Sequence, residues 1–356
     1  MKQEDSLKKR INWIDITRGY AIIIIVIVHI GLIPFTQYLQ TFQLPIFAIL
    51  TGLTFNQKTN FKTEFIKKVK YWLLPYILVF ISSATIWNIW ISKTQIYRQV
   101  YFPLRSQLIA FITTQDISFN GPLWFLPSFF IAFFITLLII KSEKFFKSAK
   151  IYYSIMSAIV LTTGYLLSNS ILKAPFSFDL SLIFSSFMIL GFFFLKPILL
   201  AKKISNMNII FCLILFLLSA TSNGTDSFFG RVFNNLFLFI CSSVSGSLLL
   251  CALAQKTENL SQKATNVLIV LGKSTIYIFL FHWLLILCLI SLLSYTSLLR
   301  DLDVTIVLVN VIMPHDFTPY SLIGRLLLFT LLTSWAIIGP IMIQKIIHIK
   351  THHKNA

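Results

Sequence analysis

Apolar runs about as long as a bilayer is thick recur from one end of this sequence to the other, and a chain built that way has few options. In lipid every backbone N–H and C=O must be paired within the protein, which leaves helix bundles and closed barrels as the spanning structures. A helix needs about 20 predominantly apolar residues to cross. Runs of that order or slightly shorter fall at 19–35, 42–55, 71–91, 123–140, 151–168, 180–195, 208–220, 232–254, 275–295 and 322–343. They are continuously apolar and do not alternate, so they predict an all-α polytopic membrane helix bundle of about ten transmembrane helices. The second and seventh runs are short, and Pro45 and Gly52 predict a kinked or partly re-entrant path in the second. No internal repeat is visible, and the whole of residues 1–356 reads as one integral-membrane domain with an arm at 1–18 and a tail at 344–356.

The formal net charge of +18 could suggest nucleic acid, but its placement argues for lipid. With ten helices and an inner N-terminus, 22 of the 30 lysines and arginines fall in inner segments and seven in outer ones, with Arg18 at the inner boundary. That asymmetry follows the positive-inside rule and places both termini in the cytoplasm. The cations then face anionic inner-leaflet lipid, and no nucleic-acid partner is expected. The first run lacks a small-residue cleavage site and does not read as a signal peptide. Cys212, Cys241, Cys251 and Cys288 lie within apolar runs as packing residues, and no residue set has metal-ligand spacing.

The first run, DITRGYAIIIIVIVHIG, holds ionisable groups that lipid does not welcome. His29 follows Arg18 by eleven positions. At about 100° and about 1.5 Å per residue, the two share a helix face and stand about 16.5 Å apart. Asp15 lies three residues before Arg18, within pairing reach. Read singly, Arg18 could be an interfacial cation that snorkels and His29 a helix-packing hydrogen bond. Read together, they suggest a slim ligand whose phosphates meet Arg18 and whose reacting group lies at His29. The phosphopantetheine arm of coenzyme A has such a shape, and a histidine with an ordinary pKa near 6.5 suits proton abstraction from a hydroxyl.

These residues and others resemble a known family. IDITRGYAIIIIVIVH looks like the first transmembrane motif of acyltransferase family 3, an arginine and a histidine with ten residues between them. WIDITRG and PLWFLPSFF, at 122–130, look like its fucose 4-O-acetylase-like branch. QLPIFAILTGLTF, KKVKYWLLPY and LGKSTIYIFLFHWLL follow in the family's order. The resemblance implies a membrane O-acetyltransferase of the bacterial inner membrane. It would take acetyl-CoA from the cytoplasm as co-substrate and acetylate a cell-surface glycan such as lipopolysaccharide O-antigen or capsule. It implies His29 as the catalytic base, Arg18 as its partner, and Lys67, Lys68 and Lys70 near the coenzyme's phosphates. Lysines stand where the family often has arginines, and lysine lacks the bidentate fork.

Three further residues have two readings each. His282 is either a buried structural histidine or a catalytic helper. Trp124 is either an interface anchor or a platform for a sugar ring. Arg231 is either an interfacial anchor or a contact for an acidic sugar. Asn234 and Asn235, expected within the eighth helix, and Gln43 in the second need polar partners. The alternative to the enzyme is a glycan or lipid-intermediate transporter, which would usually carry repeats that are not seen here.

Overall fold

The computed structural model describes residues 11–31, 35–94, 103–113, 117–170, 174–259, 262–293, 295 and 322–353. The arm Met1–Arg10, the outer-loop residues Tyr97, Arg98, Tyr101 and Asp116, and the loop 296–321 lie outside the described residues. So do the side chains of His348, His352 and His353. The described elements are α1 (Asn12–Ile30), α2 (Thr36–Gln40), α3 (Pro45–Leu53), α4 (Phe61–Lys68), α5 (Leu74–Ile89), α6 (Leu104–Thr113), α7 (Phe125–Ser142) and α8 (Ala149–Ser168). They continue as α9 (Phe178–Ile189), α10 (Lys196–Ala201), α11 (Asn206–Asn223), α12 (Leu236–Thr257), α13 (Gln262–Lys273), α14 (Thr275–Leu293) and α15 (Leu322–His353).

The chain is an all-helical polytopic bundle, with nine stretches among the described residues long and apolar enough to cross a membrane. The run at 42–55 is not one of them. It forms α3, set off from the short α2 before it by the turn 41–44, because Pro45 cannot extend a helix backwards. This broken segment nevertheless carries the chain from one end of the bundle to the other. It begins just past the end of α1, and beyond α3 the Phe55 carbonyl accepts from Lys196 Nζ at 2.8 Å. Gln57 then donates to Glu143 at 3.2 Å, in the lysine-rich connection after α7.

The same cationic end gathers the start of α1 and the end of α12, where the Tyr20 and Thr257 hydroxyls bond at 2.9 Å. The backbone N–H of Ile204, after α10, donates to Gln255 there at 2.9 Å. The four loops expected on the inner side therefore meet at one end.

Helix α1 runs through the interior, with Ile16, Ala21, Ile22, Ile25 and Val26 fully enclosed. Gly31 ends it in the left-handed region, φ 68°, donating its N–H to Ile27 at 3.1 Å. The amphipathic α13, which apolar-run counting passes over, packs along its first half. Gly272 lets the two backbones close: a Cβ there would collide with the Asp15 carbonyl. Elsewhere α4 passes into α5 through a π-helical turn, Val69–Leu73, and α9 into α10 through another, Leu190–Leu195. Each precedes a proline, Pro75 and Pro197, whose missing N–H breaks the regular ladder.

Two expectations fail at the opposite end. Asn234 and Asn235 precede the helix they were placed in. Asn235 caps α12 by accepting from Leu238, and Asn234 donates to the carbonyls of Asn223 and Thr225. Arg231 is neither a lipid-facing anchor nor open to a sugar. It is buried against Asp179, in the first turn of α9, with Nε 2.6 Å and Nη2 3.3 Å from the carboxylate oxygens.

Candidate active site

The α1 helix is unbroken from Asn12 to Ile30, so Arg18 and His29 do share one face about 16.5 Å apart. His29 occupies the last turn of α1. The His29 ring meets two consecutive side chains of α14, His282 and Trp283. Its Nδ1 is 3.1 Å from His282 Nε2, with ring centroids 5.0 Å apart. Trp283 packs edge-on to it, centroids 5.5 Å apart at 71°.

The hydrogen bonds fix which nitrogens carry protons when both rings are neutral. His282 is fully enclosed, and its Nδ1 lies 2.9 Å from the carbonyls of Ile278 and Phe279. Carbonyls only accept, so His282 Nδ1 carries the hydrogen and its Nε2 is an acceptor. His29 Nδ1 must then donate to it. That leaves the lone pair of neutral His29 on Nε2, the arrangement a general base requires. His282 thus orients the His29 ring as a carbonyl or carboxylate does in other histidine-based sites.

Arg18 sits at the cationic end, 28% exposed, with Nη1 3.2 Å from the buried Asp15 carboxylate. Of the three lysines only Lys68 turns inward, its ammonium 3.9 Å from the Trp72 ring centroid and 4.4 Å from that of Phe133. It lies within electrostatic reach of Arg18. Lys67 is 60% exposed and pairs with Glu64 at 3.9 Å. Lys70 is exposed, over Tyr71. The inward turn of Lys68 comes at the end of α4, where the π-helical turn begins.

Trp124 is walled into an aromatic cluster with Phe125, Phe184 and Phe229, and only 6% of it is exposed. The cluster reaches the histidines through the contacts Phe125–Phe279 and Phe279–His282.

Sequence reasoning passed over one residue that braces the site. Asn120, fully buried, donates to Ser83 Oγ at 3.0 Å and to the Leu280 carbonyl at 3.1 Å, tying α5 to α14 one turn before Trp283. Its place in an Asn-Gly-Pro stretch reads as a turn, which hid this role.

The sequence matches the family model of the acyltransferase domain over residues 11–345. The chain belongs to acyltransferase family 3. It is a membrane acyltransferase, and the transporter alternative gives way to that reading. No curated protein and no solved structure matches it.

Proposed function

We propose that this acyltransferase moves an acetyl group from cytoplasmic acetyl-CoA to a hydroxyl of a cell-surface glycan, with His29 as general base. The observation that carries this is the pairing on one helix of a cation at the charged end with a histidine whose Nδ1 is held by His282. Arg18 and Lys68 bind the coenzyme's phosphates, and the pantetheine arm follows α1 to bring the thioester to His29. His29 Nε2 takes the proton of the acceptor hydroxyl as its oxygen attacks the thioester carbon. The tetrahedral intermediate then collapses, the C–S bond breaks, and the thiolate recovers the proton from the imidazolium.

The motifs WIDITRG and PLWFLPSFF support a place in the fucose 4-O-acetylase-like branch, and with it a sugar acceptor of the O-antigen or capsule type. The distribution of lysine and arginine supports the bacterial inner membrane, with the cationic end cytoplasmic. Lys67 and Lys70 act through the general field at the mouth, while Trp124 helps shape the bundle beside the acceptor's approach.

The test is steady-state kinetics with acetyl-CoA, plus coenzyme A binding, on purified protein. His29→Gln keeps a hydrogen-bonding side chain but cannot accept the proton. Turnover should fall by about 10²–10⁴-fold with coenzyme A affinity near normal. Near-normal turnover would make His29 a packing residue and overturn the mechanism.

A further inference from the structure

Resting on that reading, we propose that Trp283 is a catalytic residue whose indole N–H donates a hydrogen bond to the thioester carbonyl oxygen as it becomes an oxyanion. The Trp283 and His29 rings pack in a T, centroids 5.5 Å apart, so the indole neighbours the ring that takes the proton. Its Nε1 is buried and has no hydrogen-bond partner among the described residues. A buried donor left unpaired is costly, and lipid offers no water to relieve it. The nearby Trp335 marks the contrast. Although 42% exposed, its indole donates to the Leu285 carbonyl at 3.0 Å, on the same α14. An indole that goes unpaired next to the reacting histidine is poised for a group that arrives with the substrates.

The chemistry of the indole narrows what that group is. Trp Nε1–H donates and cannot accept, so it cannot take the hydroxyl proton or compete with His29 for it. The atom of the reaction that gains negative charge is the thioester oxygen. When the acceptor oxygen bonds to the carbonyl carbon, the C=O electron pair moves onto that oxygen, and a pre-aimed N–H stabilises it without any proton being transferred. The pair returns as the C–S bond breaks and coenzyme A leaves as thiolate. His282 and Trp283, adjacent on one helix, thus serve different steps: the first orients the base, the second receives the developing charge. Asn120 supports both by holding α14 at Leu280.

The experiment replaces Trp283 with benzothienylalanine, which keeps the shape of the indole and puts sulfur where the N–H was. Coenzyme A thiol release from acetyl-CoA is followed with water as acceptor, because hydrolysis passes through the same tetrahedral oxyanion, and coenzyme A binding is measured in parallel. Thiol release should fall about 10²–10³-fold, the loss typical of one oxyanion donor, with affinity changed less than twofold. Trp283→Phe, smaller and also lacking the N–H, should fall at least as far. Unchanged release in the benzothienyl protein, or a fall matched by lost coenzyme A affinity, would overturn the assignment. A His29→Gln sample in the same assay reports on the general base alone, so the two readings fail separately.

Discussion

Two Arg–Asp pairs lie at opposite ends of this bundle and do opposite things. Arg231 and Asp179 are 5% and 1% exposed at their side chains, and the guanidinium reaches both carboxylate oxygens, with Nη2 also 3.2 Å from Ser177 Oγ. Arg18 Nη1 lies 3.2 Å from an Asp15 carboxylate oxygen, and the arginine stays 28% exposed. The closed pair spends its donors on its own chain. It also holds unusual backbone: Phe176, Ser177 and Arg231 all have φ between 51° and 57°, a region that costs about 1–3 kcal/mol for non-glycine residues. The open pair keeps part of its guanidinium turned outward, beside Lys68. One arginine is an enclosed fastener and the other is partly exposed at the charged end. Charge alone does not separate them; burial does.

The largest effect should come from opening the fastener. Arg231→Ala leaves the Asp179 carboxylate buried and uncompensated, which destabilises by about 3–5 kcal/mol. Thermal unfolding in detergent should register this as a clear drop in midpoint, while turnover per folded molecule stays near the unsubstituted value. If Arg231→Ala leaves stability intact but abolishes transfer, the pair belongs to the acceptor site and the contrast drawn here is wrong.

Arg18→Ala should show the reverse pattern. Losing a charge-assisted contact to a phosphate costs on the order of 1.5–3 kcal/mol, a roughly ten- to hundredfold weaker coenzyme A affinity. Asp15 is itself buried, so losing Arg18 also costs stability, but less than opening the fully enclosed Arg231 pair does. Titration of coenzyme A against both proteins, with unfolding curves alongside, checks the two halves together. Equal loss of stability in Arg18→Ala and Arg231→Ala would erase the distinction.

Much of this was legible in the sequence, for identifiable reasons. Apolar runs report where lipid lies, and the cations report which end is which, so the bundle and its charged end could be read directly. Helical periodicity placed Arg18 and His29 on one face because α1 really is continuous. Short-range polar detail was not legible. Pro45 did announce the broken second run, but a run-length argument misses α13, whose apolar residues cover one face only. The helix start at Leu236 depends on a cap, and Asp179 lay one residue before an expected helix.

Long-range pairing was hidden too. His282 is 253 residues from His29, and Arg231 is 52 from Asp179. Nothing local announces either partnership. Nor does sequence reveal that an indole lacks an acceptor, since that is a property of everything around it.

The smallest effect separates neighbours on one helix. Lys67, Lys68 and Lys70 were equivalent as a motif, but successive residues point about 100° apart, and the fold turns Lys68 alone toward Arg18. Its ammonium sits over the Trp72 and Phe133 rings, which hold it in place before any ligand arrives. Lysine offers a point charge without a fork, so its contribution should sit at the low end for charged contacts. Lys68→Met should weaken coenzyme A binding roughly tenfold. Lys67→Met breaks only an exposed 3.9 Å pair with Glu64, and Lys70→Met removes an exposed charge; each should stay within about twofold. Salt sharpens the test, since exposed charges are screened at about 10 Å in 0.1 M salt and partly buried ones less. At high ionic strength the Lys67 and Lys70 effects should vanish while most of the Lys68 effect persists. If all three substitutions weaken binding alike and salt removes them together, the lysines act as a diffuse field, and Lys68 is no more a phosphate ligand than its neighbours.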